Sequence, residues 1–347
     1  MNLALISDIV LCSIALLWLV YASISDLKKR EVENWIPLSM MFIALIIRGI
    51  VSIILGQSIL IVLGLIVLFI LFFYLFVKEK PIWMQIIGSL VLIAAGILYN
   101  SLSSGPVYLS TGFIALGIFF IASLILYYGR VFGGADAKLL MALAFIFATT
   151  PSFLNFSYFL PVDFFGVSLC RTSFLMDFIT NSLIISLFYG LIFSGIVALR
   201  NKKRFSNKFK EVNSKLKWFK IIFLIFGAFI LILGIFQKIL IIPAILLLIL
   251  PWFYAFIRSV EQGVLISYKS WDELQEGDWL LEQVRINDKR LKPSADGLSK
   301  EDILLIKRAG KKVLIRDGIA YVPVFLLSII ASLLFGNLFL RFLMLIV

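Results

Sequence analysis

Two carboxylates stand where an apolar chain has little use for them. Asp26 closes a long apolar run in Ile24-Ser25-Asp26-Leu27-Lys28-Lys29-Arg30, and Asp136 opens another in Gly133-Gly134-Ala135-Asp136-Ala137-Lys138. Ionisable groups at the ends or in the middle of membrane helices are costly, so each is a functional candidate by default. Two carboxyls sharing one proton can activate water. The charged member takes a proton from water and the neutral member protonates a peptide carbonyl, because like charges a few ångström apart cannot both ionise cheaply. The chain has no histidine. Its absence removes Ser-His and Cys-His nucleophile pairs, H-E-x-x-H zinc sites and His-ligated haem, and leaves an acid pair as the natural acid–base apparatus. The two cysteines, Cys12 and Cys170, form no C-x-x-C, so no metal site is expected and no cofactor is assigned.

Plainer readings stand beside this one. Asp136 can be an N-cap after a glycine turn, and Asp26 a juxtamembrane charge paired with Lys28 or Arg30. Asp8 reads as interfacial, Asp163 and Asp177 fall on the opposite side from the pair, and Lys138 reads as a snorkelling lysine beside Asp136. Gly133 and Gly134, with Ala135 after them, are expected to make a tight turn and to let an extended substrate backbone approach closely. An acid at a helix N-terminus is favoured by the dipole, so Asp136 is the expected ionised member.

The elements that must position these acids are membrane helices. Hydrophobic residues are 62% of the 347 and charged residues 15%, against about 45–50% and about 25% in soluble proteins. Mean hydropathy is +1.06. Soluble, disordered, collagen-like and disulfide-scaffold classes are excluded. Apolar runs of about 20 residues fall at 5–25, 36–55, 58–77, 82–99, 106–128, 137–151, 179–199, 220–236, 239–257 and 321–340. The sixth is short, and residues 152–178 read as a long apolar-aromatic loop. The expected fold is an all-α polytopic membrane protein of about 8–10 transmembrane helices with a small α+β cytosolic module.

Charge sets the sides. The formal net charge of +12 reads as cytoplasmic loop bias and not as a nucleic-acid surface. The cluster Lys28-Lys29-Arg30 puts the far end of the first helix inside and the N-terminus outside, and no basic n-region marks a cleaved signal peptide. All of the 32 Lys and Arg except Arg48, Arg171, Lys238 and Arg341 then fall inside. Four crossings separate Asp26 from Asp136, so both are expected at the cytoplasmic membrane face. Residues 1–258 are read as a membrane domain carrying both acids, 259–320 as a small cytosolic module and 321–347 as a final helix. Within the module, Val264–Tyr268 and Trp279–Val284 read as strands. Ser299-Lys300-Glu301-Asp302 reads as a capping box for a helix ending at Gly310. Residues 200–219 read as a basic helix lying on anionic headgroups.

An Asp at the inner end of the first helix, followed by Lys28-Lys29-Arg30-Glu31-Val32-Glu33-Asn34-Trp35, resembles the first catalytic motif of the prepilin peptidases, membrane aspartyl proteases that include the archaeal preflagellin peptidases. Gly133-Gly134-Ala135-Asp136 resembles their G-x-G-D motif with alanine at the third position, a place where archaeal members accept other residues. Gly318-Ile319-Ala320-Tyr321-Val322-Pro323-Val324-Phe325 is similar to the segment leading into the final helix of archaeal members. The resemblance also takes in 110–150 and Asn181-Ser182 of the seventh span; residues 58–99 are left unmatched. It implies Asp26 and Asp136 as catalytic residues. It also implies cleavage of the short basic leader of prepilin or preflagellin precursors on the cytoplasmic side of their hydrophobic stretch. With no cysteine-bearing zinc loop and no methyl-donor motif, peptidase activity alone is expected. Acids such as Glu31, Glu33, Asp272, Glu273 and Glu276 either attract a basic leader or are merely solvated. Two other classes remain: a proton-coupled transporter using membrane acids as a relay, and a non-catalytic scaffold of pilus or archaellum assembly.

Overall fold

The computed structural model describes residues 3–77, 81–102, 108–156, 172–237, 240–286, 289–294 and 297–346. The helices are α1 (Leu3–Lys29), α2 (Trp35–Ile54), α3 (Ile59–Val77), α4 (Ile82–Leu102), α5 (Tyr108–Tyr128), α6 (Gly134–Ile146), α7 (Phe174–Arg200), α8 (Lys202–Lys215), α9 (Lys217–Leu233), α10 (Ile241–Val260), α11 (Lys300–Ala309), α12 (Val322–Phe335) and α13 (Leu338–Ile346). Among the described residues the short strands are β1 (Ile266–Lys269), β2 (Trp279–Leu280), β3 (Val284–Ile286), β4 (Lys289–Leu291) and β5 (Val313–Arg316). Among the described residues six helices are long and apolar enough to cross a membrane, and up to eight spans result if each bent pair counts as one. The chain is a multi-pass, all-helical membrane protein with a small strand-bearing part.

Residues 1–187 with 319–347 form one compact unit and 188–318 a second. The compositional boundary at 258/259 is not where these units divide; α8–α10 group with the strands. In the first unit α5 packs on both α4 and α6. Close approach of α4 and α5 relies on small residues. A Cβ on Gly96 would stand 2.9 Å from the Ser110 carbonyl oxygen, and one on Gly117 2.8 Å from that of Ser89. Glycine here lets two membrane helices meet along their backbones. Gly112 does the same for α6: its Cβ would meet Phe145 at 2.7 Å.

The sixth apolar run departs from expectation. α6 has 13 residues, about 20 Å at 1.5 Å per residue, against a hydrocarbon core of about 30 Å. It is shorter than a full span and is buried in the core. Leu139, Ala142, Leu143, Ala144 and Phe145 are all fully buried, and α1, α2 and α5 pack against it. An all-apolar sequence is what burial on every side requires, and by composition it is indistinguishable from a short membrane run. The last span also differs. α12 and α13 are bent by 47° at Gly336-Asn337, where Gly336 has φ 64°.

In the second unit β5 lies between β1 and β2, antiparallel to both, and β3 pairs with β4. The strand expected at 264–268 begins only at Ile266, after a π-helical turn over Glu261–Leu265. The one expected at 279–284 is two strands, β2 and β3, in different sheets. α11 matches expectation: the N–H of Asp302 donates to Ser299 Oγ at 3.2 Å, and Gly310 closes the helix at φ 60°. α8 and α9 meet at 66°. The second expected cysteine, Cys170, lies outside the described residues, as do Asp163, Arg171 and Lys238.

Candidate active site

Asp26 lies in the last turn of α1 and is 8% exposed. The helix closes just beyond it, with Arg30 in the left-handed region at φ 55° and its N–H donating to the Asp26 carbonyl at 2.9 Å. The carboxylate meets the N-terminus of α12. Val322 N–H donates to Asp26 Oδ2 at 3.0 Å, and the Tyr321 N–H is a second donor. The first N–H groups of any helix lack partners within it and are an anion site. The sequence signal was Pro323, which sits in the first turn of α12 and marks a helix start; nothing local shows which acid would face it.

Asp136 is the third residue of α6 and is half-buried. Its Oδ2 accepts the N–H of Gly133 at 3.2 Å, the return half of a capping box. The N-cap reading is corrected in detail: Gly133 is the N-cap, and Asp136 caps the helix from the third position. The same carboxylate interacts with the charge of Asp26, and α1 packs on α6. Two acids far apart in the chain are thus carried by helices in contact.

The glycines behave differently from expectation. Gly133 has φ −71° and ψ 163°, an extended conformation that any residue adopts. The turn is made earlier, by Arg130 at φ 55°. A Cβ on Gly133 would stand 3.4 Å from Asp136 Oδ2 and one on Gly134 3.6 Å from Tyr127, which are ordinary contacts. Ala135 packs against the core of the first unit. Lys138 is no simple snorkelling residue either: Nζ donates to Asn34 Oδ1 at 2.6 Å and ties α6 to the α1–α2 loop. α5 is tied to α6 by Ser123 Oγ, which donates to the Ala137 carbonyl at 3.1 Å.

Two polar clusters escaped the sequence reading. Arg48, placed outside by the charge count, is 2% exposed. Its guanidinium donates to the carbonyls of Tyr108 and Ile146, both at 2.6 Å, and to Thr149 Oγ1 at 3.3 Å. It thereby satisfies the end of α6 opposite to Asp136. Asp8, read as interfacial, is 5% exposed, interacts with the charge of Arg48 and accepts the Ser152 N–H at 2.7 Å. The available signal was an arginine inside an otherwise apolar run. The second cluster holds the break between α12 and α13. Asn181 Nδ2 donates to Ser332 Oγ at 2.9 Å and to the Gly336 carbonyl at 2.7 Å, and its Oδ1 accepts the Leu338 N–H at 2.9 Å. Asp177 accepts from Asn337 Nδ2 at 3.1 Å and from Thr172.

Residues 13–89 match the type IV leader peptidase family. The matched stretch contains Asp26 and runs through 58–89, which the motif reading had left unassigned; it ends before Asp136. No curated protein matches the chain, and no solved structure does. The chain resembles the prepilin peptidases, as its motifs indicated. The match supports a leader-peptidase function in general, with a protease as the enzyme class and prepilin-type proteins as the kind of substrate.

Proposed function

We propose that this protein is a membrane aspartyl endopeptidase that removes short basic leaders from prepilin- or preflagellin-like precursors at the cytoplasmic membrane face. The observation that carries the proposal is the packing of α1, which ends with Asp26, against α6, which begins with Asp136, in a chain whose first part matches leader peptidases.

The chemistry needs one proton shared by two carboxyls. Asp26 receives two main-chain donors and Asp136 one. Donors to a carboxylate oxygen favour its charged form, so this reading gives the resting charge to Asp26 and reverses the assignment drawn from the α6 dipole alone. Asp26 takes a proton from water as the water oxygen bonds to the scissile carbonyl carbon. The carbonyl π pair moves to oxygen, which takes the proton from Asp136. The proton on Asp26 then passes to the amide nitrogen, the C–N bond breaks, and the gem-diol proton returns to Asp136. No external oxidant, metal or nucleophile is required.

A proton-coupled transporter draws on one specific observation, the broken α12–α13 helix with Asp177 beside it. The discriminating experiment places purified protein in liposomes with a class III precursor and follows both leader release and proton flux. The proposal expects release of the leader and a new N-terminus on the precursor, without flux. Flux without cleavage favours the transporter. Neither activity, with co-purification of assembly components, favours the scaffold.

A further inference from the structure

We infer that α8 is a docking surface for anionic lipid headgroups, held at the membrane interface with one stripe, Lys203, Asn207, Lys210 and Ser214, meeting the lipid phosphates. The inference stands apart from the acid-pair reading and does not depend on it.

Residues 200–220 hold nine basic residues and one acid, Glu211. Charge alone also suits a helix that is merely solvated; the faces of α8 are more specific. Its apolar side is used inside the protein. The Phe205 ring centroid lies 5.6 Å from that of Phe209 and 5.6 Å from that of Phe256 on α10, and Val212 is 6% exposed. α8 also packs on the turn that follows α10, where a Cβ on Gly263 would stand 3.1 Å from Lys208 Cβ and 3.3 Å from the Arg204 carbonyl oxygen. These contacts fix the rotation of α8 about its own axis. At 3.6 residues per turn, the face opposite Phe205, Phe209 and Val212 carries Lys203, Asn207, Lys210 and Ser214. All four are exposed. Glu211 is turned aside and holds Lys208 at 2.8 Å and Lys215 at 2.7 Å. Among the described residues, neither Lys203 nor Lys210 has an acid within ion-pair distance. With the apolar face already covered by α10, attraction to a bilayer is left to this stripe.

The neighbours of α8 set its depth. α9 leaves it at 66° and exposes Ile222, Ile225, Phe226, Phe229 and Ile232, a surface made for hydrocarbon and not for water. The bend itself is collared by amphipathic residues. Trp218, in the first turn of α9, is 74% exposed, and Trp252 and Tyr254 of α10 are exposed too. Lys220 Nζ lies 5.2 Å over the Trp252 ring and is also bonded to Asn213 of α8, which ties the two helices across the bend. Tryptophan and tyrosine concentrate where hydrocarbon meets headgroups. A helix that enters the hydrocarbon through this collar leaves α8 lying along the headgroup layer. Lys203 and Lys210 are seven residues apart, about 10 Å at 1.5 Å per residue, so the stripe offers two separate cations, with Asn207 and Ser214 as neutral donors beside them. That donor set suits phosphate oxygens, and a basic helix next to a membrane span suits an anionic leaflet.

The test reads lipid composition at α8 in the intact protein. A fluorophore is attached through Ser206→Cys, beside the stripe, with Cys12→Ala and Cys170→Ala removing the native thiols. The protein is placed in mixed vesicles of phosphatidylcholine and phosphatidylglycerol, and a quenching nitroxide is carried high on the acyl chain of one lipid or the other at equal bulk fraction. Quenching by the phosphatidylglycerol probe is expected to exceed that by the phosphatidylcholine probe by at least about fivefold, the scale set by one basic residue at an anionic surface, and the excess should shrink in high salt. Lys203→Gln with Lys210→Gln should bring the two probes to within about twofold of each other. Lys289→Gln with Arg290→Gln, which removes the same charge from β4, should leave the preference unchanged. Equal quenching by the two probes at α8, a stripe variant that keeps the preference, or a β4 variant that loses it equally would overturn the inference. A fluorophore that neither probe quenches would overturn it as well, and would leave the stripe to a soluble acidic partner.

Discussion

Arg48→Met probes how the far end of α6, and so the helix that carries Asp136, is held. The guanidinium makes three hydrogen bonds, to the carbonyls of Tyr108 and Ile146 at 2.6 Å and to Thr149 Oγ1 at 3.3 Å. Methionine fills much of the same volume but leaves both carbonyls without this donor. A hydrogen bond to a charged group is worth about 1.5–3 kcal/mol, so losing the two short ones costs about 3–6 kcal/mol, while an apolar side chain in an apolar site recovers about 1–3 kcal/mol. The net expectation is a loss of about 2–4 kcal/mol, or a fall in melting temperature of about 4–8 °C at about 2 °C per kcal/mol. The assay is thermal unfolding of purified protein in detergent, followed by intrinsic fluorescence. A melting temperature within about 2 °C of wild type would refute the argument.

Further outcomes follow from the same structure. Asn181→Leu removes three hydrogen bonds at the α12–α13 break and should cost about 2–4 kcal/mol, with hydrogen exchange at 336–340 rising first. Lys138→Met frees the α1–α2 loop from α6; leader cleavage should fall about tenfold, chiefly through KM if that loop meets the substrate, as steady-state kinetics will report. Ser299→Ala should destabilise α11 by about 1 kcal/mol, read as faster exchange of the amides at 300–303 while cleavage by the membrane unit is unchanged. A proton shared by two carboxyls predicts a bell-shaped pH profile for kcat/KM, and a profile flat across the acidic limb would exclude it.

What was legible in the sequence is what depends on short-range pattern. Ser299 and Gly310 announce both ends of α11 because cap chemistry is local. The acids were visible because a carboxylate is expensive in an apolar run. Properties set by tertiary packing stayed hidden. The burial of α6 on every side stayed hidden because a helix buried on all sides and one facing lipid have the same composition. Arg48 and Asp8 were counted as surface charges because only their distant partners, Ile146 and Ser152, reveal them as buried. The facing of Asp26 by α12 joins residues from opposite ends of the chain, and no local pattern encodes it. Gly133 illustrates the reverse error, since a Gly-Gly pair suggested a turn that Arg130 makes instead.

The most direct test of the account measures leader release by four forms of the protein: wild type, Asp26→Asn, Asp136→Asn and the double variant, each checked for normal helix content and melting. If the two carboxyls act as one unit on one water, each single substitution should lower kcat by about 10⁴-fold, and the double variant should be no slower than the slower single one. A single variant that cleaves at the wild-type rate, or single losses that multiply in the double variant, would contradict it.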